Sequence, residues 1–453
     1  MKNLKKHLFT PIDNSALIVF RMIFGFLITA EAWGAIGTGW VRRVFVEPQF
    51  TFNFIGFDFL QSFPGTGSHM YVWFAVMGVF GVMVTVGYRY RVAIVGYAIM
   101  WSTVYFMQKS SYNNHYYLLM LLCWIFAFLP AHRAVSYDAR SNESVRSTSM
   151  PRWVTVFIIV QLFIVYTYGS IAKIYPDWLD TTAPRLLMQG KKNFWLVGEV
   201  LQKEWTHWII AYFGILFDGL IVPALLWKRT RKIALYASIF FHLFNSFVFQ
   251  VGIFPYMSLG FILFFYPPKT IHRIFLKKWK ALYEANENEA SPNFINKWSS
   301  LGIALAGFYL LLQALLPLRQ HTMQDNVLWT EEGHRLSWRM MLRTKQGSVS
   351  FTVLDKQTNK RTFVKLSDYV TEKQRRNLGT KPDFMWQFAQ RLKKEYAAKG
   401  MDISVFVNAS VKVNGRKYNR LVDPKVDIAA VDWHFFKHAD WLLDSGDYLE
   451  KEK

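Results

Sequence analysis

The first two thirds of the chain is a succession of long apolar runs almost without charge, and this constrains the fold more than any other feature. A membrane-spanning helix needs about 20 mostly apolar residues. Runs of roughly that length fall at 15–36, 70–87, 92–107, 115–129, 153–171, 208–227, 233–249, 253–266 and 302–316. The expectation is therefore a polytopic α-helical membrane protein of about nine spans, some of them short enough to be tilted, re-entrant or mutually shielded. Residues 1–318 form this helical domain and 319–453 a polar C-terminal domain of mixed α+β type with a β bias. Composition agrees: 52% of the 453 residues are hydrophobic and 19% charged, against about 45–50% and 25% in soluble domains. Disorder and collagen are excluded. The single cysteine, Cys123, also excludes an internal disulfide, a zinc knuckle and an iron–sulfur cage.

The formal net charge is +22, but most of it sits in short loops. Residues 1–318 carry 28 basic and 14 acidic side chains, and 319–453 carry 25 and 17. With a cytoplasmic N-terminus, the inner loops hold 19 basic residues and the outer loops eight, among them Lys109 and Lys173. This is the positive-inside pattern. It puts the C-terminal domain outside, periplasmic in a double-membrane bacterium or luminal in a eukaryote. The first apolar run is too long, and lacks the small-residue site, for a cleavable signal peptide. No basic patch interleaved with aromatics points to nucleic acid.

In the C-terminal domain, 348–354 and 361–366 alternate around a polar turn and predict a hairpin. A second hairpin, 403–413 with 417–422, is predicted around Asn414-Gly415, a type I′ signal. Helical periodicity over 382–399 aligns Phe384, Phe388 and Leu392, with Gly400 placed to end it. Residues 281–297, rich in Glu and Asn, predict a solvated linker.

Ionisable groups in or at the ends of spans are costly and are the natural functional candidates. Lys173 follows the fifth run, near Gly169, Ser170 and Ala172. It either snorkels to the headgroups or stays dry as a base, burial favouring the neutral amine. His115 enters the fourth run behind Asn113 and Asn114, three polar groups that need each other or a ligand. His242 and Asn245 share a helix face and serve either as interhelical polar contacts or as part of a site. Arg21, Glu31 and Asp218 are further intramembrane charges, for which structural pairing of Arg21 with an acid is the expected role. His434 and His438, with Asp432 and Asp440 nearby, have the i,i+4 spacing of helical metal ligands, though no third ligand is evident. A lysine, a histidine and asparagines facing an aromatic interior suit a lipophilic substrate with acidic hydroxyls. A hydroquinone is one, its proton about as acidic as that of tyrosine, pKa about 10. No phosphate-binding loop, dinucleotide fingerprint, nucleophile elbow or zincin motif occurs.

A set of short motifs occurs in order: Arg21 to Gly25; Asn113-Asn114-His115 with Tyr117-Leu118; Phe163 to Tyr166 with Gly169, Lys173 and Asp177-Trp178; Phe241-His242 with Asn245-Ser246; Gly252 with Phe254-Pro255-Tyr256; Trp329-Thr330; Ser337-Trp338 with Met340-Met341; and Asp423-Pro424 with Val426-Asp427-Ile428. In that order they resemble the vitamin K-dependent γ-glutamyl carboxylase family, including bacterial homologues with an HTTM domain. The resemblance implies an integral enzyme, of the inner membrane in a bacterium, that couples oxygenation of a naphthohydroquinone to carboxylation of protein glutamate with CO₂. Vitamin K hydroquinone and O₂ are then cosubstrates, with no metal and no biotin, and the partners are membrane lipid and a glutamate-containing peptide or protein. The resemblance assigns the base role to Lys173, with His115 and Asn114 beside it. Asn113, Tyr168, His242, Asn245, Trp338, Met340 and Met341 then line the quinone site. For Trp338 to Met341, interfacial packing is the plain alternative. Animal members join their two parts by a disulfide, which Cys123 alone cannot supply. Quinol epoxidation without carboxylation, a non-catalytic quinone or lipid binder, and a transporter are the competing functions.

Overall fold

The computed structural model describes residues 2–284 and 294–449. Each of the nine apolar runs is helical: α1 Ser15–Gly37, α2 His69–Val86, α3 Tyr90–Met107, α4 Asn114–Phe128, α5 Trp153–Ile171, α6 Glu204–Leu226, α7 Arg231–Phe244, α8 Phe254–Phe261 and α9 Ser299–Leu315. With their irregular extensions, six helical stretches are long and apolar enough to cross a membrane: those containing α1, α2, α5, α6, α7 and α9. The stretches containing α4 and α8 are apolar but shorter. Among the described residues six helical stretches thus meet the length and composition of a span, against the nine expected.

Close approach holds the first two helices together. A Cβ at Gly25 would lie 2.5 Å from the Thr85 backbone nitrogen, and one at Gly81 would lie 2.5 Å from Thr29 Oγ1. Only small residues permit such helix contact in an apolar medium. Stacked aromatics fill the adjoining core, with Phe20 at 4.5 Å from Phe261 and 5.3 Å from Phe126. The expected pairing of Arg21 with an acid does not occur. Its two terminal guanidinium nitrogens donate to the carbonyls of Ala131, Ala134, Thr85 and Val135 instead, where α1, α2 and the 131–135 loop meet, while its Nε has no partner among the described residues. Glu31 lies near the Tyr116 side chain and the Ile253 backbone.

The C-terminal part is a four-stranded antiparallel sheet with one main helix. Its strands are β1 Lys345–Asp355, β2 Arg361–Phe363, β3 Ile403–Val413 and β4 Asn419–Arg420, in the order β2-β1-β3-β4. Strand β3 buries every second residue from Ile403 to Val413, as a half-covered strand must. The covering element is α10, Pro382–Ala397, whose Phe384, Phe388 and Leu392 are fully buried. Phe388 meets Phe351 of β1 at 4.9 Å, edge to face. Asn414 and Gly415 both take positive φ, 49° and 77°, which the two-residue turn requires. Both predicted hairpins and the predicted helix are therefore present.

The predicted linker 281–297 falls mostly on residues 285–293, outside the described residues. Its first residues belong to a short helix, Lys280–Glu284, with Tyr283 buried against His272. His434 and His438 do not share a helix: the segment is irregular, His434 is exposed, and His438 Nδ1 pairs with Glu332 Oε2 at 2.6 Å. No group of three or more His, Cys, Asp or Glu suited to a metal occurs among the described residues.

The two parts are tied by buried charges. Lys109 Nζ, between α3 and α4, reaches Asp383 Oδ2 of α10 at 2.5 Å, and Arg335 bonds the same carboxylate at 2.7 and 3.1 Å. Asp177, after α5, receives two bonds from Arg416 at 2.6 and 2.9 Å and one from Asn414 at 2.8 Å. The α1–α2 loop adds Phe50 and Phe52 to the C-terminal core, Phe52 lying 4.6 Å from Phe384. Burial would raise the Asp383 carboxyl, but the Arg335 and Lys109 charges outweigh it and hold it well below the usual carboxylate range. Glu331 is likewise lowered against its burial by Arg343 and Lys345. A carboxyl depressed in the folded state contributes stability that is complete above its unfolded value, about 4, and is lost as pH falls through the folded value. Limited proteolysis across a pH series should find the two parts docked at about pH 5 and released only well below about pH 4. Release near neutrality would show that these carboxylates do not hold the joint.

Candidate active site

Lys173 lies just beyond the end of α5, and only 7% of it is exposed. Its Nζ donates to Asp218 Oδ2 of α6 at 2.5 Å and to the Gly169 carbonyl at 2.8 Å. The Trp178 ring faces it at 5.9 Å. Helix α6 supplies two of the walls, because Gly214 and Asp218 are i,i+4 and share a face. A Cβ at Gly214 would lie 3.9 Å from Lys173 Cε. Asp218 is 5% exposed. The lysine is therefore dry, as the desolvated-base reading requires, but it is not alone: a carboxylate lies within hydrogen-bond distance.

The segment after α9 closes over this pair. A Cβ at Gly169 would lie 3.3 Å from Asp218 Oδ2 and 3.5 Å from Met340 Cε, so a glycine there leaves room for both. Met340 is held in place from the other side. Asn114 Nδ2 donates to the Arg339 carbonyl at 2.7 Å, Tyr112 OH donates to Asn114 Oδ1 at 2.9 Å, and Tyr112 OH accepts from the Leu336 N–H at 2.7 Å. Trp338 is fully buried and tilts against Tyr117 at 4.8 Å. Leu336, Trp338 and Met341 all take positive φ, at 63°, 57° and 52°. Such conformations cost about 1–3 kcal/mol each and concentrate at functional sites. The Asn114 clamp contributes to holding them. Asn114→Leu is expected to cost about 1–3 kcal/mol of unfolding free energy, with faster hydrogen exchange over 336–341. Unchanged exchange there would show that the strain is held elsewhere.

A second cluster adjoins the first through α5. His115 stacks on Phe254 at 4.1 Å, and His242 meets the same ring edge-on at 6.1 Å. His242 Nε2 lies 3.1 Å from Tyr166 OH. Phe217, the neighbour of Asp218, packs on both Tyr166 and His242. The contacts of His115 thus run to Phe254, not to Lys173, and Tyr166 with Phe217 links the two clusters. Buried polar atoms without a hydrogen-bond partner among the described residues include His242 Nδ1 and Trp338 Nε1. Buried groups of this kind are rare and call for a ligand or another partner.

The other candidates lie further off. Asn113 caps α4, its Oδ1 accepting from the Tyr116 N–H at 2.7 Å. Tyr168 OH bonds the Ala314 carbonyl of α9. Asn245 is half-buried and opens a π-helical turn, Asn245–Phe249. Met341 is exposed. Sequence reasoning missed Asp218 as the partner of Lys173, Tyr166 as the link, and Tyr112 as the clamp. An acid inside the otherwise uncharged run 208–227 was the visible signal for the first.

No solved structure matches the chain. Residues 9–269 match the HTTM domain, and residues 298–447 match the vitamin K-dependent gamma-carboxylase lumenal domain. The second match begins before α9, so it includes the helix whose C-terminal extension carries the segment lying over Lys173 and Asp218. The first covers more than half of the chain and contains every helix that frames the pair; together they show that the chain belongs to the γ-carboxylase family.

Proposed function

We propose that the protein couples oxygenation of a naphthohydroquinone to carboxylation of glutamyl side chains with CO₂, the pair Lys173–Asp218 accepting the quinol proton. The observation that carries this reading is the 2.5 Å contact between those two buried groups beside Met340. Domains 1–318 and 319–453, a cytoplasmic N-terminus and an outer C-terminal domain belong to the same proposal.

The residues present fit a flat phenolic ligand. Phe254, Phe217, Tyr166 and Met340 offer apolar surface, and the orphaned His242 Nδ1 and Trp338 Nε1 can bond its oxygens. When bound, the quinol supplies with O₂ a base strong enough for the γ-proton of glutamate, which no side chain can remove. The protein accepts and holds the first proton. In a dry site the pair is neutral overall, whether the shared proton sits on Nζ or on Oδ2. One acceptor position is left in either case: Nζ in the second arrangement, Oδ2 in the first. Taking a proton there leaves ammonium and carboxylic acid, a single positive charge beside the new quinol anion. At an effective dielectric near 20, opposite charges about 4 Å apart attract by about 4 kcal/mol. Trp338 and Met340 exclude water from this exchange, and Asn114 fixes the segment that carries them. His115 and His242, both packed on Phe254, would hold the ligand from that side.

Because the pair accounts for the quinol half of the reaction, the second reading is a quinol oxygenase without carboxylation. Purified full-length protein supplied with reduced vitamin K, O₂, labelled bicarbonate and a glutamate peptide separates the two. Quinone epoxide with labelled acid supports carboxylation, and epoxide alone supports the second reading. Neither product, from folded protein, contradicts both.

A further inference from the structure

At the opposite end of α5 from Lys173 a cavity of about 460 Å³ opens between α3, α4, α5 and α9. That is within the range of ligand sites, about 300–1,000 Å³. The helix between them has 19 residues, hence about 28 Å of separation at 1.5 Å per residue, so this is a different site from the pair. Its floor is apolar: Phe128, Trp153, Phe157, Ile303 and Leu310. Phe128 is 74% exposed. The α9 wall is open, because Cβ atoms on Gly302 and Gly307 would meet nothing within 4 Å.

Two cations, Arg91 and Arg133, line the same space, and among the described residues no carboxylate does. Arg91 donates to the Ala127 carbonyl, and its charge and that of Arg133 lie close enough to repel each other. The neighbouring Asp138 carboxylate is engaged by the N–H groups of Arg89 and Tyr90 at 2.8 and 2.9 Å. Two like charges facing one space call for an anion, and the apolar floor calls for a hydrocarbon chain. A lipid with a negative headgroup satisfies both, whereas a soluble anion uses only the arginines and a neutral lipid only the floor. Basic pockets between spanning helices are known to take such headgroups.

We propose that this cavity binds an anionic phospholipid, the phosphate between Arg91 and Arg133 and an acyl chain along α9. The test is retention of lipid by the full-length protein after extraction from phosphatidylcholine vesicles with and without phosphatidylglycerol, read by native mass spectrometry. Phosphatidylglycerol should be retained preferentially. At about 1 kcal/mol per basic residue, Arg133→Gln should weaken retention about fivefold and the double variant with Arg91→Gln about thirtyfold. Gly307→Leu, which narrows the cavity and keeps both charges, should also lose the lipid, and serves where the arginine variants fail to fold. Equal retention of both lipids, retention unchanged in Gly307→Leu, or displacement by inorganic phosphate alone would overturn the proposal.

Discussion

Lys173→Ala is expected to lower quinol turnover by about 10²–10⁴-fold, the range for loss of a positioned proton acceptor, and to destabilise the protein as well. Both partners are nearly inaccessible, Lys173 at 7% and Asp218 at 5%. Removing the lysine leaves a buried carboxylate with no counter-charge, which costs about 3–5 kcal/mol. Lost activity alone would therefore not distinguish a base from a structural cation. The double variant Lys173→Met/Asp218→Leu does. Replacing both members of a buried pair with apolar groups is commonly neutral or stabilising by about 1–4 kcal/mol. It should regain thermal stability and stay inactive. A stable double variant that turns over quinol would place Lys173 in the scaffold rather than in the chemistry.

Asp383→Ala is expected to have the next largest effect, on stability first and turnover second. Its carboxylate is the common partner of Lys109, 1% exposed, and Arg335, 16% exposed. Two buried cations would lose their counter-charge at once, a cost of at least about 3–5 kcal/mol. Arg335 immediately precedes the strained segment containing Trp338 and Met340, so loosening the joint should also disorder the cover over Lys173. Thermal unfolding and proteolysis should report undocking, and quinol turnover should fall although Lys173 and Asp218 are untouched. Asp383→Glu, which keeps the charge, should recover most of both. Wild-type melting and proteolysis in Asp383→Ala would contradict this account of the joint.

Local pattern was readable in the sequence, and pairing across the fold was not. The stripe Phe384, Phe388 and Leu392 follows the helical period, and Asn414-Gly415 carries its own turn geometry, so α10 and the second hairpin could be read directly. The apolar runs likewise marked the helices, although among the described residues six are long and apolar enough to cross a membrane. Lys109 and Lys173 read as two outer loop charges, yet both are buried in ion pairs. Their partners lie 274 and 45 residues away, a relation that only helix packing creates. Phe50 and Phe52 show no periodicity that would place a loop inside another domain's core. The i,i+4 spacing of His434 and His438 suggested a helix that the irregular segment does not form, because His438 is drawn to Glu332 instead. Within the candidate site, the sequence named Lys173, Asn114, Trp338 and Met340, which the fold brings together. It also put His115 beside Lys173, but His115 packs on Phe254 one cluster away.

The central claim is that the buried pair takes a proton from a bound quinol before any oxygen is involved. Anaerobic absorbance spectra of reduced vitamin K titrated with the protein test this directly, because the naphtholate anion absorbs at longer wavelength than the neutral quinol. The account predicts the anion's band with the wild-type protein at neutral pH and its absence with Lys173→Met/Asp218→Leu, while quinone still binds. The same band in both proteins, or binding of the quinol by the wild type with no anion formed, would contradict it.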